Sequence, residues 1–393
     1  MHNKKVQSRV VNVWGLALIL VLTSGCNGDK KDETETILIA QGKEVFRFDT
    51  FGDEQLWTDQ LKLHQVIESA VSPQTALAVG LKVDADVLPD GILSQVDLTD
   101  PATTLALLKL NAVVGLQGEI ENVAGKDRLK SIGVTCALCH STVDDSVAPG
   151  IGKRKDGWPN RDLNVGLILS LSPAMQDPAQ QEVLLSWGAG KYDAYWNHDG
   201  INDPTVIPPA YGLKGIELET FSGEGEVSYW NAYVAVTQMG AQGNFTDADM
   251  GINITHSPDL LTAKLPALKA YQLSLTSPPP PAASFEQAAA ERGKLVFNGT
   301  GRCGQCHSGD LFTDANMTLH DPIEVGTDPI LASRGKTGKY RTTPLAGIWQ
   351  HPPYFHNGSA STIDEVIEHY DRHMMLGLTE DDKSDLRNYL LSL

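Results

Sequence analysis

Two Cys-x-x-Cys-His pentapeptides, helix-forming residues around them and a run of four prolines between them predict a mainly α chain. They predict two haem-bearing domains, the first enlarged by a helical insertion. The pentapeptides are Cys136-Ala-Leu-Cys-His140 and Cys303-Gly-Gln-Cys-His307. This is the attachment pattern of a c-type haem. On one helical turn the two thiols project from the same face, each able to form a thioether, and the next residue brings an imidazole onto the iron. One copy could be a redox dithiol or half a zinc site. Two copies in a chain with 5 cysteines point to two covalently bound haem c groups.

The chain opens with Lys4, Lys5 and Arg9, then an apolar run from Val10 to Leu22, then Thr23-Ser-Gly-Cys26. A basic start, a short apolar core and small residues before a boundary predict an export signal over residues 1–25. The run is too short to span a bilayer comfortably. Cys26 stands where the bacterial lipoprotein signal carries its acylated cysteine. That resemblance implies a periplasm-facing protein held at the bacterial cell envelope by lipid, with ordinary cleavage nearby as the alternative. With Cys26 acylated, no thiol remains for a disulfide, and the haems supply the cross-links. Residues 1–25 hold three basic residues and no acidic ones, so their loss takes the net charge from −18 to −21. Such a charge repels nucleic acid and anionic head groups and suits a small basic redox protein as partner. Solubility alone is the plainer reading of the same charge.

Residues 26–38 are polar and read as a flexible tether. The first haem domain is expected over 39–276. It begins with Gly42-Lys-Glu-Val-Phe46, a pattern that returns at Gly293-Lys-Leu-Val-Phe297. A haem cysteine follows closely in the second copy and far downstream in the first, as if a duplicated unit carried an insertion of about 84 residues. Leu56, Trp57, Leu61 and Leu63 begin an amphipathic helix ending near Ile67. Asp100-Pro101 reads as an N-cap with proline in the first turn, opening a buried helix towards Val114.

The prolines of Ser277-Pro-Pro-Pro-Pro281 make 277–283 a stiff linker. Beyond it, Ser284 with Gln287 reads as a capping box for a helix through Phe297. Thr362 with Glu365 and Thr379 with Asp382 cap two more. A helix, a haem motif, a long loop and a terminal helix make 284–393 a class I cytochrome c plan. The fold expected is therefore two cytochrome c-like haem domains.

What each iron carries opposite its histidine decides between electron transfer and chemistry. For the second haem, Ile363, Val366, Ile367 and Tyr370 share one apolar helix face. Tyr370 stands at its end, with His356, His373, Met374 and Met375 as alternatives. For the first haem the choice is poor. His198 is the nearest histidine after His140, and Met175 and Met239 are the available thioethers. An iron without a firm sixth ligand can bind peroxide or dioxygen.

Tyr340-Arg-Thr-Thr-Pro-Leu-Ala-Gly347, Pro353-Tyr-Phe-His-Asn-Gly-Ser359 and Thr362-Ile-Asp-Glu-Val366 resemble the C-terminal signature of the bacterial di-haem cytochrome c peroxidase and MauG family. The resemblance implies peroxide reacting at the N-terminal haem and electrons passing through the C-terminal one. It implies Tyr370 as a ligand of the second iron, and a calcium ion touched by Asn164, Thr342 and the Pro344 carbonyl. Asp199 falls near the family's catalytic glutamate, and His198 stands beside it. The family's distal histidine has no counterpart in Asp156-Gly-Trp158. Tyr229, Trp230 and Phe245 resemble instead the aromatic set over the reactive haem of the di-haem rubber oxygenases, which implies dioxygen chemistry on a hydrophobic substrate. A pure electron carrier, with both irons closed, is the reading from the other class.

Overall fold

The computed structural model describes residues 27–92 and 96–393. The export signal and Cys26 lie outside the described residues. Among those described, no helix is long and apolar enough to cross a membrane, and the sheets are all two-stranded.

Helix α1 (Asn27–Phe48) already includes residues 27–38. The expected tether is therefore helical, because its Lys and Glu residues favour helix and no proline interrupts it. The amphipathic stretch from Leu56 is broken in two. A π-turn at Gln55–Gln60 ends before Lys62, which adopts φ 56°, and α2 (Leu63–Ala70) follows. Ser72 caps α3 (Pro73–Ala78), accepting from the Thr75 N–H. Asp100 caps α4 (Pro101–Lys109) by accepting from the Ala102 N–H, with Pro101 in the first turn as expected. This helix stops at Lys109 rather than Val114. The chain reverses at Asn111 and enters an antiparallel hairpin of Leu116–Val123 and Lys126–Val134, turned by Ala124 and Gly125 at positive φ. The stretch expected to be a helical insertion is thus not wholly helical. Leu129 and Ile132 of the hairpin face the core beside Leu108 of α4.

The first pentapeptide forms α5 (Ala137–His140). Short helices follow: α6 (Val165–Ser170), α7 (Pro178–Trp187), α8 (Trp196–Asp199) and α9 (Val227–Val234). Then α10 (Leu265–Ser274) packs back across α1. At that crossing Gly42 is obligatory, since a Cβ there would lie 1.9 Å from the Ala267 carbonyl oxygen.

The second half repeats this arrangement. Helix α11 (Gln287–Asn298) crosses α15 (Glu380–Leu391), and a Cβ on Gly293 would lie 2.0 Å from the Asp385 carbonyl oxygen. Between them lie α12 (Pro322–Val325), α13 (Ile330–Arg334) and α14 (Ile363–Met374). Thr362 and Thr379 cap α14 and α15 as expected. The Ser284 box does not form: its hydroxyl is buried without a partner, and Glu286 stands at the N-cap. One buried cluster consists of C-terminal residues, among them Phe297, Leu345, Ile367 and Tyr389. The linker packs rather than hangs free, with the Pro278 carbonyl accepting from Trp349 Nε1 at 3.4 Å.

Candidate functional site

Each Cys-x-x-Cys-His set lines a cavity of its own. Cys136, Cys139 and His140 line the first, and Cys303, Cys306 and His307 the second. The Nδ1 atom of His140 lies 3.1 Å from the Pro208 carbonyl, and that of His307 lies 3.1 Å from the Phe312 carbonyl. A carbonyl only accepts, so Nδ1 carries the proton and Nε2 is the free donor atom. Burial pushes His140 down to about 4 and lowers His307 as well, so both rings stay neutral and able to ligate. Two thiols, a tied imidazole and a largely apolar wall are what a covalent haem requires, and both donor sets fit one.

The cavities share a wall. Val206, Pro208, Pro209, Leu213, Thr220, Phe221 and Arg341 line both. Backbone hydrogen bonds tie this wall to the C-terminal half. The Val206 N–H donates to the His356 carbonyl at 2.8 Å, and the Arg341 N–H donates to the Phe221 carbonyl at 2.9 Å.

Of the first cavity's expected residues, Trp230 lines it, beside Trp57, Tyr192, Tyr195 and Phe221. Tyr229 and Phe245 do not. They stand behind Trp230, with Tyr229 ring centroids 5.5 Å from Trp230 and 5.4 Å from Phe245. The Tyr229 hydroxyl donates instead to Asp247 Oδ2 at 2.6 Å. His198 and Asp199 also lie outside the cavity, exposed on α8. Asp199 is held there by Arg334, whose Nε and Nη2 donate at 2.7 and 3.0 Å. Neither of the two candidates for a catalytic role therefore lines the first cavity.

The carboxyl that does line this cavity is Glu219, which the sequence reading missed. It is buried, with Oε2 accepting from Arg341 Nη1 at 2.9 Å and Oε1 left without a partner. Burial pushes its carboxyl up against the opposing pull of Arg341. Neither its neighbours nor their spacing marks it in the sequence. Met239 lines the cavity too, whereas Met175 packs in the core away from it.

In the second cavity Tyr370 and Met374 both line the wall with His307. Burial pushes the Tyr370 phenol up to about 12. His356 lines it as well, but its Nδ1 is 3.4 Å from the Thr327 hydroxyl and its Nε2 3.3 Å from the Tyr340 hydroxyl. His373 is turned away to the Ile323 carbonyl at 3.0 Å, and Met375 is 88% exposed. Two of the expected calcium contacts each accept one hydrogen bond within the protein. Asn164 Oδ1 accepts from the Leu167 N–H at 3.0 Å as the cap of α6, and the Thr342 carbonyl accepts from the Thr313 hydroxyl at 2.5 Å. Pro344 lines the second cavity.

Residues 338–376 match the RoxA-like, cytochrome c-like family model. Over 151 residues the chain is 29% identical to the cytochrome-c peroxidase IdrP1 of Denitromonas iodatirespirans, covering 27% of this chain and 40% of that one. Over 93 residues it is 31% identical to the methylamine utilization protein MauG of Methylorubrum extorquens, covering 21% of this chain and 25% of that one. Less than half the length of either curated relative is matched. A MauG-like protein associated with microbial copper homeostasis superposes with a TM-score of 0.35 at 19% identity, over 48% of this chain and 73% of that one, too distant to carry an argument. The chain is a homologue of the cytochrome-c peroxidase IdrP1 and of MauG, and it carries a RoxA-like cytochrome c segment.

Proposed function

We propose that the protein is an exported di-haem c-type oxidoreductase of peroxidase type, with two cytochrome c-like domains over 39–276 and 284–393. His140 would hold the haem at which peroxide, or dioxygen, would react. His307 would hold the haem that would exchange electrons with a small redox protein. The observation that carries this reading is the pair of adjoining cavities, each with its own Cys-x-x-Cys-His set, of which the first is lined by a buried carboxyl.

The haems, when bound, supply the redox chemistry. The chain supplies the rest. Pro208 holds the His140 proton on Nδ1, and the same residue belongs to the wall between the cavities, so the two centres are neighbours. Glu219 lines the first cavity with its Oε1 unpartnered, and a carboxylate there can take a proton from peroxide and return it to the departing oxygen. Arg341 fixes the other oxygen and so aims the group. Trp230 and the rings around it exclude water. Cys26 serves as the lipid anchor, and the negative net charge favours a basic redox partner.

Met239 favours a second reading, because its thioether also lines the first cavity. Were Met239 to hold the haem together with His140, the protein would be an electron carrier closed to small ligands. Mass spectrometry and a peroxide titration separate these. Two haem additions, with a visible spectrum that peroxide changes, support the oxidoreductase. Two low-spin centres that bind neither cyanide when oxidised nor carbon monoxide when reduced make it a carrier.

A further inference from the structure

The chain carries 49 acidic residues against 31 Lys and Arg, yet among the described residues no acidic side chain lines the second cavity. Arg161, Arg302 and Arg341 line it. Arg302 is exposed at the rim. The other two are half-buried, with buried guanidinium nitrogens that find no acceptor: Nε and Nη1 of Arg161, and Nε of Arg341. One nitrogen of each guanidinium is in use. Arg161 Nη2 donates to the His351 carbonyl at 2.9 Å. Arg341 Nη1 donates to the Leu218 carbonyl at 2.8 Å and to Glu219 at 2.9 Å.

A buried cation with idle donors is stable only when something anionic faces it. For Arg161 no carboxylate of the protein does so. Its named neighbours are Tyr211, His351 and Tyr354, all neutral, and burial lowers its guanidinium to about 10. The missing negative charge belongs to whatever fills the cavity.

We propose that Arg161 and Arg341 form a carboxylate site for the cofactor of the second cavity. The propionate groups of the haem held by Cys303, Cys306 and His307 accept from Arg161 Nε and Nη1 and from Arg341 Nε. This rests on the two-haem reading above. The planar fork of Arg161 suits a two-point contact with a carboxylate. Arg161 precedes α6, in the same half of the chain as the first pentapeptide. Its third contact is to His351 of the other half, so the carboxylate fastens the two halves across the wall between the cavities.

A guanidinium on the propionate offsets negative charge near the iron and so favours the reduced form. Its removal should lower the ferrous-to-ferric ratio at a given potential about tenfold, which for one electron is about 59 mV. The test uses the haem-loaded protein and spectroelectrochemical titration of wild type, Arg161→Gln and Arg161→Lys. In Arg161→Gln one midpoint should fall by about that amount and the other stay unchanged. The propionate vibrations in the resonance Raman spectrum should shift, and Arg161→Lys should recover part of the midpoint. Unchanged midpoints and propionate vibrations in folded Arg161→Gln would overturn the proposal. If Arg161→Gln does not fold, Arg161→Lys with wild-type midpoints and vibrations overturns it equally. The mass of the wild-type protein is read first: fewer than two haem additions sinks the two-haem reading itself.

Discussion

Phe297 meets Tyr389 edge-on with ring centroids 5.2 Å apart, and Phe46 meets Tyr271 in the same way at 5.5 Å. In both places the phenylalanine follows a glycine by four residues, and that glycine lies under the carbonyl of the crossing helix. The glycine allows the approach, and the ring one turn later fills the angle between the helices. The pair of crossings gives physical content to the repeat of Gly42–Phe46 in Gly293–Phe297.

The crossings should tolerate no side chain. Gly42→Ala and Gly293→Ala each force two helices apart, at a cost of about 2 kcal/mol. Chemical denaturation should show each variant destabilised by roughly that amount. An alanine at either position with wild-type stability would mean the helices do not cross there.

Glu219→Gln should slow reaction with peroxide by about a hundredfold or more, the scale of a lost acid–base group. The wild-type rate should rise with pH as the carboxyl, pushed up by burial, gives up its proton, and then level off. The glutamine variant should lack this limb. Asp199→Asn is the contrast. It weakens the hold on Arg334, so the melting temperature should drop while the peroxide rate stays near wild type. The reverse pattern would return the catalytic role to Asp199.

Trp230→Ala opens the wall of the first cavity and leaves the second untouched. The spectrum and ligand binding of one haem should change and those of the other should not. Phe245→Ala, one ring further back, should act mainly on stability. Equal spectral effects from the two substitutions would place both rings at the iron.

Asp53 is buried, and burial pushes its carboxyl up to about 9 although both oxygens accept from the Val134 N–H. Below about 4 the group is protonated whether the chain is folded or not. From there to about 9 only the unfolded chain gives up the proton, so folding loses stability as pH rises. Asp53→Asn cannot ionise. Its melting temperature should exceed that of wild type by a margin that widens from pH 5 to pH 9. A margin that is constant across that range would show that Asp53 is ionised in the folded protein.

The covalent motifs, the caps at Asp100, Thr362 and Thr379, and the Gly–Phe repeat were all legible in the sequence. Each depends on residues within about one helical turn, where spacing alone dictates geometry. The apolar face that ends at Tyr370 was legible for the same reason. Only the tertiary structure decided which groups face the cavities. It moved His198 and Asp199 to the surface and left Trp230 alone of its three rings at the wall. It also turned the end of the insertion into a hairpin and brought Glu219 inside. Glu219 and its partner Arg341 are 122 residues apart. The burial that raises one and lowers the other comes from packing between segments distant in the chain, and such packing leaves no pattern in the residues on either side.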